Sequence, residues 1–549
     1  MSTAIDARVK NISATRRLAR FGRDEDGSFI IFSMFMLVLM LMIAGISVDI
    51  ERYEVARTKL QATVDGAALS AASLSQDIPA ETMVKDYLRV HGMATFFEDV
   101  EVSNTVNNKS VTVETHVTVP THWMNMIGIP ALAGPVSATA AESISNLEIS
   151  MVLDVSGSMG QGSKLPNLKT AAGEFVETIL NTASPDSAAI SVVPYTTQVS
   201  AGPNVLAHMQ DAIKDPHARS HCLNFSGTDF DTTAIDLSAD SYSQTVHFDV
   251  RNNSWTANME LVRPECATRE WSDMMVMSQD VGALQSYFNA FRATDWTSIE
   301  LGVKWGAALL DPSFSPVIDG MISEGDVDNV FAGRPSVHGD RDTRKYMVVM
   351  TDGINTNEHR IIEPYRTGAS RVFEFRDASD RPFYSIWAGT DEPIDADGTI
   401  KTRDDGWYLV NTHAGSGATV GWTDTPYGGV GATRMSWREV FAAVPTKVLT
   451  DTWFKPRGGA IAAEGTAIKN AIKATNRPIK DANLRAVCDS AKTQGVTIYT
   501  ISFEAPKAAR TLLRDCATSA ATAFDVKGTE ISQAFAAIAA DINRLRLVN

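Results

Sequence analysis

The sequence predicts an α/β protein: a doubly wound, mostly parallel sheet with two insertions, preceded by one transmembrane helix and a small α+β membrane-proximal module. Three observations predict this. From Leu147 onward, apolar strand-like runs alternate with amphipathic helical ones, the pattern of parallel strands joined by helices on both faces. Near the start, the stretch Phe29–Val48 carries no charged residue. Between the two, helical spacing gives way to β-branched alternation, the mark of a separate small module.

Taken in order, residues 1–28 form a basic tail. Six Lys or Arg residues stand against four acidic ones, a net +2, while the whole chain carries −16. The span at 29–48 has the length of a bilayer's hydrocarbon core, about 20 residues at about 1.5 Å each. A cleaved signal peptide would have a shorter apolar region and a small-residue cleavage site. Here the run continues into SVDIERYEVARTKL, so a retained span is expected. Lys and Arg favour the cytoplasmic side. The tail is therefore expected inside, with the rest of the chain across the membrane.

Residues 49–145 form the membrane-proximal module. Tyr53, Ala56, Leu60, Val64, Ala67, Ala68 and Ala71 recur at three- and four-residue steps, as on one face of a helix. VEVSNTVNNKSVTVETHVTVP follows, with Asn107-Asn108 between alternating runs, and reads as a hairpin.

Residues 146–549 form the α/β domain. LEISMVLD (147–154), AAISVVPY (188–195), KYMVVMTDG (345–353) and GVTIYTISF (495–503) are the expected strands, with ATAFDV (521–526) at an edge. Lys164–Leu180 and Glu530–Leu547 are expected helices. Two long stretches, about 200–290 and 358–455, interrupt the frame. Structureless loops of that length are rare in compact domains, so both are expected to be folded insertions. The second carries Trp387, Trp407, Trp422, Trp437 and Trp453, which would make either a recognition surface or a small core of its own.

Composition narrows function. With 549 residues, 44% hydrophobic and 21% charged, usage is that of a globular protein. A collagen, a coiled-coil rod and a wholly disordered chain are excluded. A nucleic-acid binder would carry a basic footprint, so nucleic acid is not an expected partner, and no small-molecule substrate is expected. The four cysteines, Cys222, Cys266, Cys488 and Cys516, allow three pairings. The sequence-local pairs Cys222–Cys266 and Cys488–Cys516 are favoured, against four unpaired buried thiols.

The chemistry concentrates in Asp154-Val155-Ser156-Gly157-Ser158 at the end of the first strand. A carboxylate and two hydroxyls at alternate positions can face one point. Ligands of an open parallel sheet gather at the carboxyl ends of its strands. Thr351-Asp352-Gly353 ends another strand on the same edge, and Thr297 opens a helix in TSIELGVKWGAALL. Thr294 competes with Thr297, and Ser298 is a poorer candidate. Asp154, Ser156, Ser158, Thr297 and Asp352 together offer two carboxylates and three hydroxyls, an all-oxygen set suited to Mg²⁺. The alternative is an ordinary turn and helix cap, where Asp and Ser are favoured for hydrogen bonding alone.

These pieces resemble the metal-ion-dependent adhesion site of von Willebrand factor A domains. The resemblance implies that Asp154, Ser156, Ser158 and Thr297 coordinate Mg²⁺, with Mn²⁺ as the alternative, and that Asp352 acts mostly through water. It also implies an open position for an Asp or Glu of a protein partner. The N-terminal DEDGSFIIFSMFMLVLMLMIAGISVDIERYEVARTKLQATVDGAALSAA and the C-terminal CATSAATAFDVKGTEISQAFAAIAADINRLRL resemble TadG-like proteins of tight-adherence (Flp) pilus assembly. That resemblance implies an inner-membrane, single-pass protein with a periplasmic adhesion-type domain. In one respect the sequence departs from pilins. A pilin-type segment has Glu five residues after its processing Gly, and here Phe32 stands at that position counted from Gly27.

No phosphate-binding loop or HExxH motif occurs. Asp395-Ala396-Asp397-Gly398 lacks the spacing and terminal Glu of a calcium loop. The expected role is metal-dependent protein binding in pilus assembly, not catalysis. The competing classes are a metal-dependent hydrolase, which needs a general base near an activated water, and a structural, pseudopilin-like subunit.

Overall fold

The computed structural model describes residues 26–73, 78–104, 108–143, 146–183, 186–255, 261–266, 268–340, 342–410 and 420–547. Most of the basic tail and Asn107 of the expected hairpin turn lie outside them. The chain forms two compact units, Met1–Ser143 and Ile144–Asn549.

The first unit is built on one unbroken helix, α1 (Asp26–Ala71). The apolar stretch and the Ala-rich face that follows it are thus one element. Its C-terminal half buries Leu60, Val64, Ala67, Ala68 and Ala71. They pack on α2 (Ala80–Val90) and on Val111, Val113, Val117 and Val136 of the sheet. The small alanines let the sheet approach closely, and each buried Val or Leu contributes about 1.5–3 kcal/mol. The sheet is antiparallel, in the order β1 (Phe97–Asn104), β2 (Asn108–Pro120), β3 (Ala131–Ser143).

The second unit centres on a six-stranded sheet. Its strands are β4 (Asn146–Asp154), β5 (Ala188–Tyr195), β6 (Met275–Ser278), β7 (Thr343–Thr351), β13 (Thr497–Phe503) and β14 (Ala523–Val526), in the order β14-β13-β7-β4-β5-β6. Five are parallel; β6 runs antiparallel at one edge. Leu147, Ile149, Met151 and Leu153 of β4 point to a core shared with Leu168, Phe175 and Ile179 of α3 (Lys164–Thr182), Leu284 of α4 (Val281–Ala290) and Phe535 and Ile538 of α8 (Glu530–Leu547). Val152 and, on β7, Val349 point to the opposite core. It holds Val303 and Trp305 of α5 (Ile299–Ala308), Leu484 of α6 (Arg477–Thr493) and Leu513 of α7 (Lys507–Cys516). Helices therefore pack on both faces, and nearly continuous apolar strands follow from that.

Strand β6 lies within the stretch set aside as an insertion. Four residues with two methionines give no readable alternation, so the sequence did not show it. The later stretch holds a five-stranded antiparallel sheet of β8 (Ala369–Arg376), β9 (Pro382–Trp387), β10 (Trp407–Leu409), β11 (Gly421–Thr423) and β12 (Thr433–Ser436). Trp387, Trp407, Trp437 and Trp453 are buried, and Trp422 is exposed. Four of the five tryptophans thus build cores. Disulfides join Cys222 to Cys266 and Cys488 to Cys516. Asp395 and Gly398 close an ordinary turn by backbone bonding.

Candidate metal centre

Strand β4 ends at Asp154, whose side chain is fully buried. One carboxylate oxygen accepts from the Ser156 amide at 2.8 Å, and the other accepts from the Thr351 hydroxyl at 2.6 Å. The chain then turns into a short 3₁₀ segment, Gly157–Gly160, and Ser156 does not cap it with its side chain. The Ser156 hydroxyl instead lies 3.1 Å from the Ser158 hydroxyl. Ser158 donates to Asp352 at 2.6 Å. The turn-and-cap alternative thus accounts for the Asp154 carboxylate but not for the two serine hydroxyls.

Thr297 reaches the same place through the loop before α5. Gly157 donates its amide to the Asp295 carbonyl at 3.0 Å, and Thr294 donates to the Val155 carbonyl at 3.1 Å. The amide and hydroxyl of Thr356 both donate to the Thr297 carbonyl, at 2.9 and 3.1 Å. A methyl placed on Gly353 would lie 3.6 Å from the Ser158 hydroxyl oxygen and 3.7 Å from that of Thr297. Ser298 is engaged elsewhere: its hydroxyl donates to the Thr197 carbonyl and accepts from Lys480. Thr294 bonds through its backbone. All five sequence-predicted residues come together, and Thr297 is better placed than either competitor.

Two residues of the site were missed. Thr351 bridges to Asp154, as above. Lys164 forms an ion pair with Asp352 at 2.8 Å, with 13% of the lysine side chain exposed and none of the aspartate's. A sequence signal for it existed. Lys164 is the first residue of α3, and a cation at a helix N-terminus opposes the helix dipole. Such a residue needs a compensating partner.

The electrostatics are those of two carboxylates held together out of water. Burial first, then the charge of Asp352, pushes Asp154 up to about 7. Lys164 balances one carboxylate and leaves the other short of a counter-charge. An all-oxygen donor set with unbalanced negative charge suits a hard divalent cation, which takes carboxylate, hydroxyl and water oxygens. Among the described residues, no three His, Cys, Asp or Glu side chains gather as a metal cluster, at this site or elsewhere.

The same unit holds a second buried charge cluster. Lys480 pairs with Glu300 at 3.2 Å, both fully buried. Glu358 accepts from Gln198 at 2.6 Å, and burial pushes its carboxyl up to about 7.

Residues 27–74 match the family model described as putative Flp pilus-assembly TadE/G-like. No curated protein matches the chain. Among solved structures, the vWF domain of the type V pili tip protein Mfa5 from Porphyromonas gingivalis is similar at 14% identity with a TM-score of 0.31, covering 74% of this chain and 97% of that one. The adhesive tip pilin GBS104 from Group B Streptococcus agalactiae is similar at 13% identity and a TM-score of 0.28, over 72% of this chain and 100% of that one. For the PilB minor pilin from Streptococcus sanguinis the values are 10%, 0.27, 81% and 78%. Likenesses at such TM-scores carry no argument, and the strand order and side-chain geometry stand without them. The N-terminal segment is TadE/G-like, as its acid-Gly entry, apolar span and Ala-rich continuation implied.

Proposed function

We propose that the chain is a membrane-anchored, protein-binding component of Flp pilus assembly. Its larger unit is a von Willebrand factor A-type domain interrupted by insertions at about 200–274 and 358–455, the first ending before β6. The chain crosses the bacterial inner membrane once at 29–48, with the basic tail cytoplasmic and the bulk periplasmic. Asp154, Ser156, Ser158, Thr297 and Asp352 would hold Mg²⁺ or Mn²⁺, which would supply a Lewis acid for a carboxylate of the partner. The rest falls to the protein: the Thr351 hydroxyl orients Asp154, and Lys164 holds Asp352. The role is binding, not catalysis.

The observation that carries this reading is the meeting of two carboxylates and three hydroxyls at the carboxyl ends of neighbouring strands β4 and β7. The test is calorimetric titration of Mg²⁺ and Mn²⁺ into the full chain in detergent. Saturable binding that disappears in Asp154→Ala is expected. Binding that survives the substitution would place the cation elsewhere. In parallel, the double variant Ser156→Ala, Ser158→Ala is expected to fold and to lose its partner in pull-downs from envelope extracts. An unchanged pull-down would sever partner binding from this site.

A further inference from the structure

The hairpin β2–β3 lies lengthwise along α1, and its turn faces the apolar stretch. Four contacts show the direction. Lys109 donates to the Ser73 carbonyl at 3.1 Å and Gln61 to the Ser137 carbonyl at 3.1 Å. The Tyr53 hydroxyl sits against Gly134, and Arg52 donates to the Pro120 carbonyl at 3.4 Å. Moving down the helix toward residue 45 therefore means moving toward the β2–β3 turn. The far end of the hairpin lies about 40 Å away, at about 1.5 Å per helical residue.

The connecting residues 121–130 read THWMNMIGIP and contain no Asp, Glu, Lys or Arg. They are fastened to the helix at two points. The buried Asp49 carboxylate accepts the amides of His122, Trp123 and Met124, at 3.0, 2.7 and 2.9 Å. The Trp123 indole covers Gly45 so closely that a Cβ there would fall 2.3 Å from its ring. Gly45 lies inside the apolar stretch and Asp49 just beyond its end. The loop is thus held level with the outer end of the span.

What the loop turns outward is apolar. Met126 is 75% exposed, and Trp123, Ile127 and Ile129 are also open. Among the described residues of this unit nothing covers them. Trp is favoured at the level where hydrocarbon meets headgroup. Arg52, 39% exposed and 3.6 Å from Asp49, stands one turn further along α1, where a cation can meet lipid phosphate.

We propose that residues 121–130 enter the interfacial layer of the bilayer, as a second membrane contact beside the span. The occupant of this apolar surface is lipid, because the loop is pinned to the same helix end that must leave the hydrocarbon. The proposal rests on the reading of 29–48 as a span, and the test separates the two.

The full chain is reconstituted into phosphatidylcholine–phosphatidylglycerol liposomes with one environment-sensitive fluorophore on an added cysteine. Met126→Cys probes the loop, Leu37→Cys the span and Ser103→Cys, on β1 opposite Ser110 of β2, the far end of the sheet. Quenching is read with lipids carrying a doxyl group near the headgroup or deep in the chain. The loop label is expected to be blue-shifted and quenched several-fold more by the shallow quencher than the Ser103→Cys label. The Leu37→Cys label should respond best to the deep one. Adding Gly45→Val, which displaces Trp123, is expected to weaken quenching at the loop and leave the span label unchanged. A quenched span label beside an unquenched loop label overturns this proposal alone. A loop label that is blue-shifted yet unquenched means protein covers the surface, and also overturns it. An unquenched span label overturns the span and the loop contact together.

Discussion

The two units solve opposite problems of placement. The smaller unit leaves apolar side chains outside: Phe29, Ile31 and Met34 are 71%, 72% and 66% exposed, and Met126 exceeds them all. The larger unit takes charges inside: Asp154, Glu300, Lys304 and Lys480 are at most 1% exposed. Water alone favours neither arrangement. Exposed apolar surface on this scale marks an interaction site, and buried charge persists only with a partner. In one unit the partner we propose is lipid; in the other Glu300 already meets Lys480, and for Asp154 the partner we propose is a cation. The lesson is that an apparent defect in folding economy locates what a protein meets.

The sharpest way to break this contrast is to strand a charge. Lys480→Met leaves Glu300 buried and unpaired, and should cost about 3–5 kcal/mol in denaturant unfolding. Replacing both residues with apolar ones should recover most of it. If the single variant loses less than about 1 kcal/mol, well short of that figure, the interior is wetter than the contrast requires.

The next effect is in pH. The folded-state pKa of Asp154, about 7, lies above its ordinary value of 3.8. The folded unit therefore binds this proton more tightly than the unfolded chain does. In chelator, this group's contribution to stability is fully present below about pH 4 and is lost as pH rises through about 7. Unfolding curves with and without Mg²⁺ between about pH 4 and pH 8, which spans both values, check this. Mg²⁺ binding should weaken toward the acid end, because proton and cation compete for one carboxylate. A pH-independent Mg²⁺ affinity would remove Asp154 from the site.

In the smaller unit, Asp49→Ala strands three loop amides, at a cost of about 1–3 kcal/mol. Hydrogen exchange at residues 122–124 should rise sharply, and unchanged protection would mean the carboxylate does not hold the loop. The smallest effect belongs to Lys164→Met. Without its ammonium, Asp352 should attract Mg²⁺ about tenfold more strongly, or ~1.4 kcal/mol. Weaker binding would show that Lys164 orients Asp352 more than it competes with the cation.

How far these features can be read from sequence depends on how local they are. Asp154, Ser156 and Ser158 sit within five residues at a strand end, and Asp352 ends the neighbouring strand. Local pattern and the sheet rule sufficed there. Thr297 could be narrowed only to three candidates, because what selects it is tertiary: its loop is fastened by Thr294 to Val155 and by Asp295 to Gly157, and Thr297 itself is bonded by Thr356. Lys164 was hidden for the same reason: its partner lies 188 residues away. Strand β6 was too short and too rich in methionine to declare itself. The membrane-side loop shows the reverse failure. Its apolar run is plain in the sequence, but its level against the helix is fixed by Asp49 and Gly45, which no periodicity links to Trp123.

Helix α1 carries both the apolar stretch and part of the core of the first unit, unbroken from Asp26 to Ala71. A flexible tether of similar length would let its ends reorient freely. Here the folded module and the apolar span share one rigid rod, and the Asp49 clasp locks its rotation to that of the sheet. Torque or tension on the module would therefore pass to the apolar stretch without slack. The attachment works mechanically as an axle rather than as a leash.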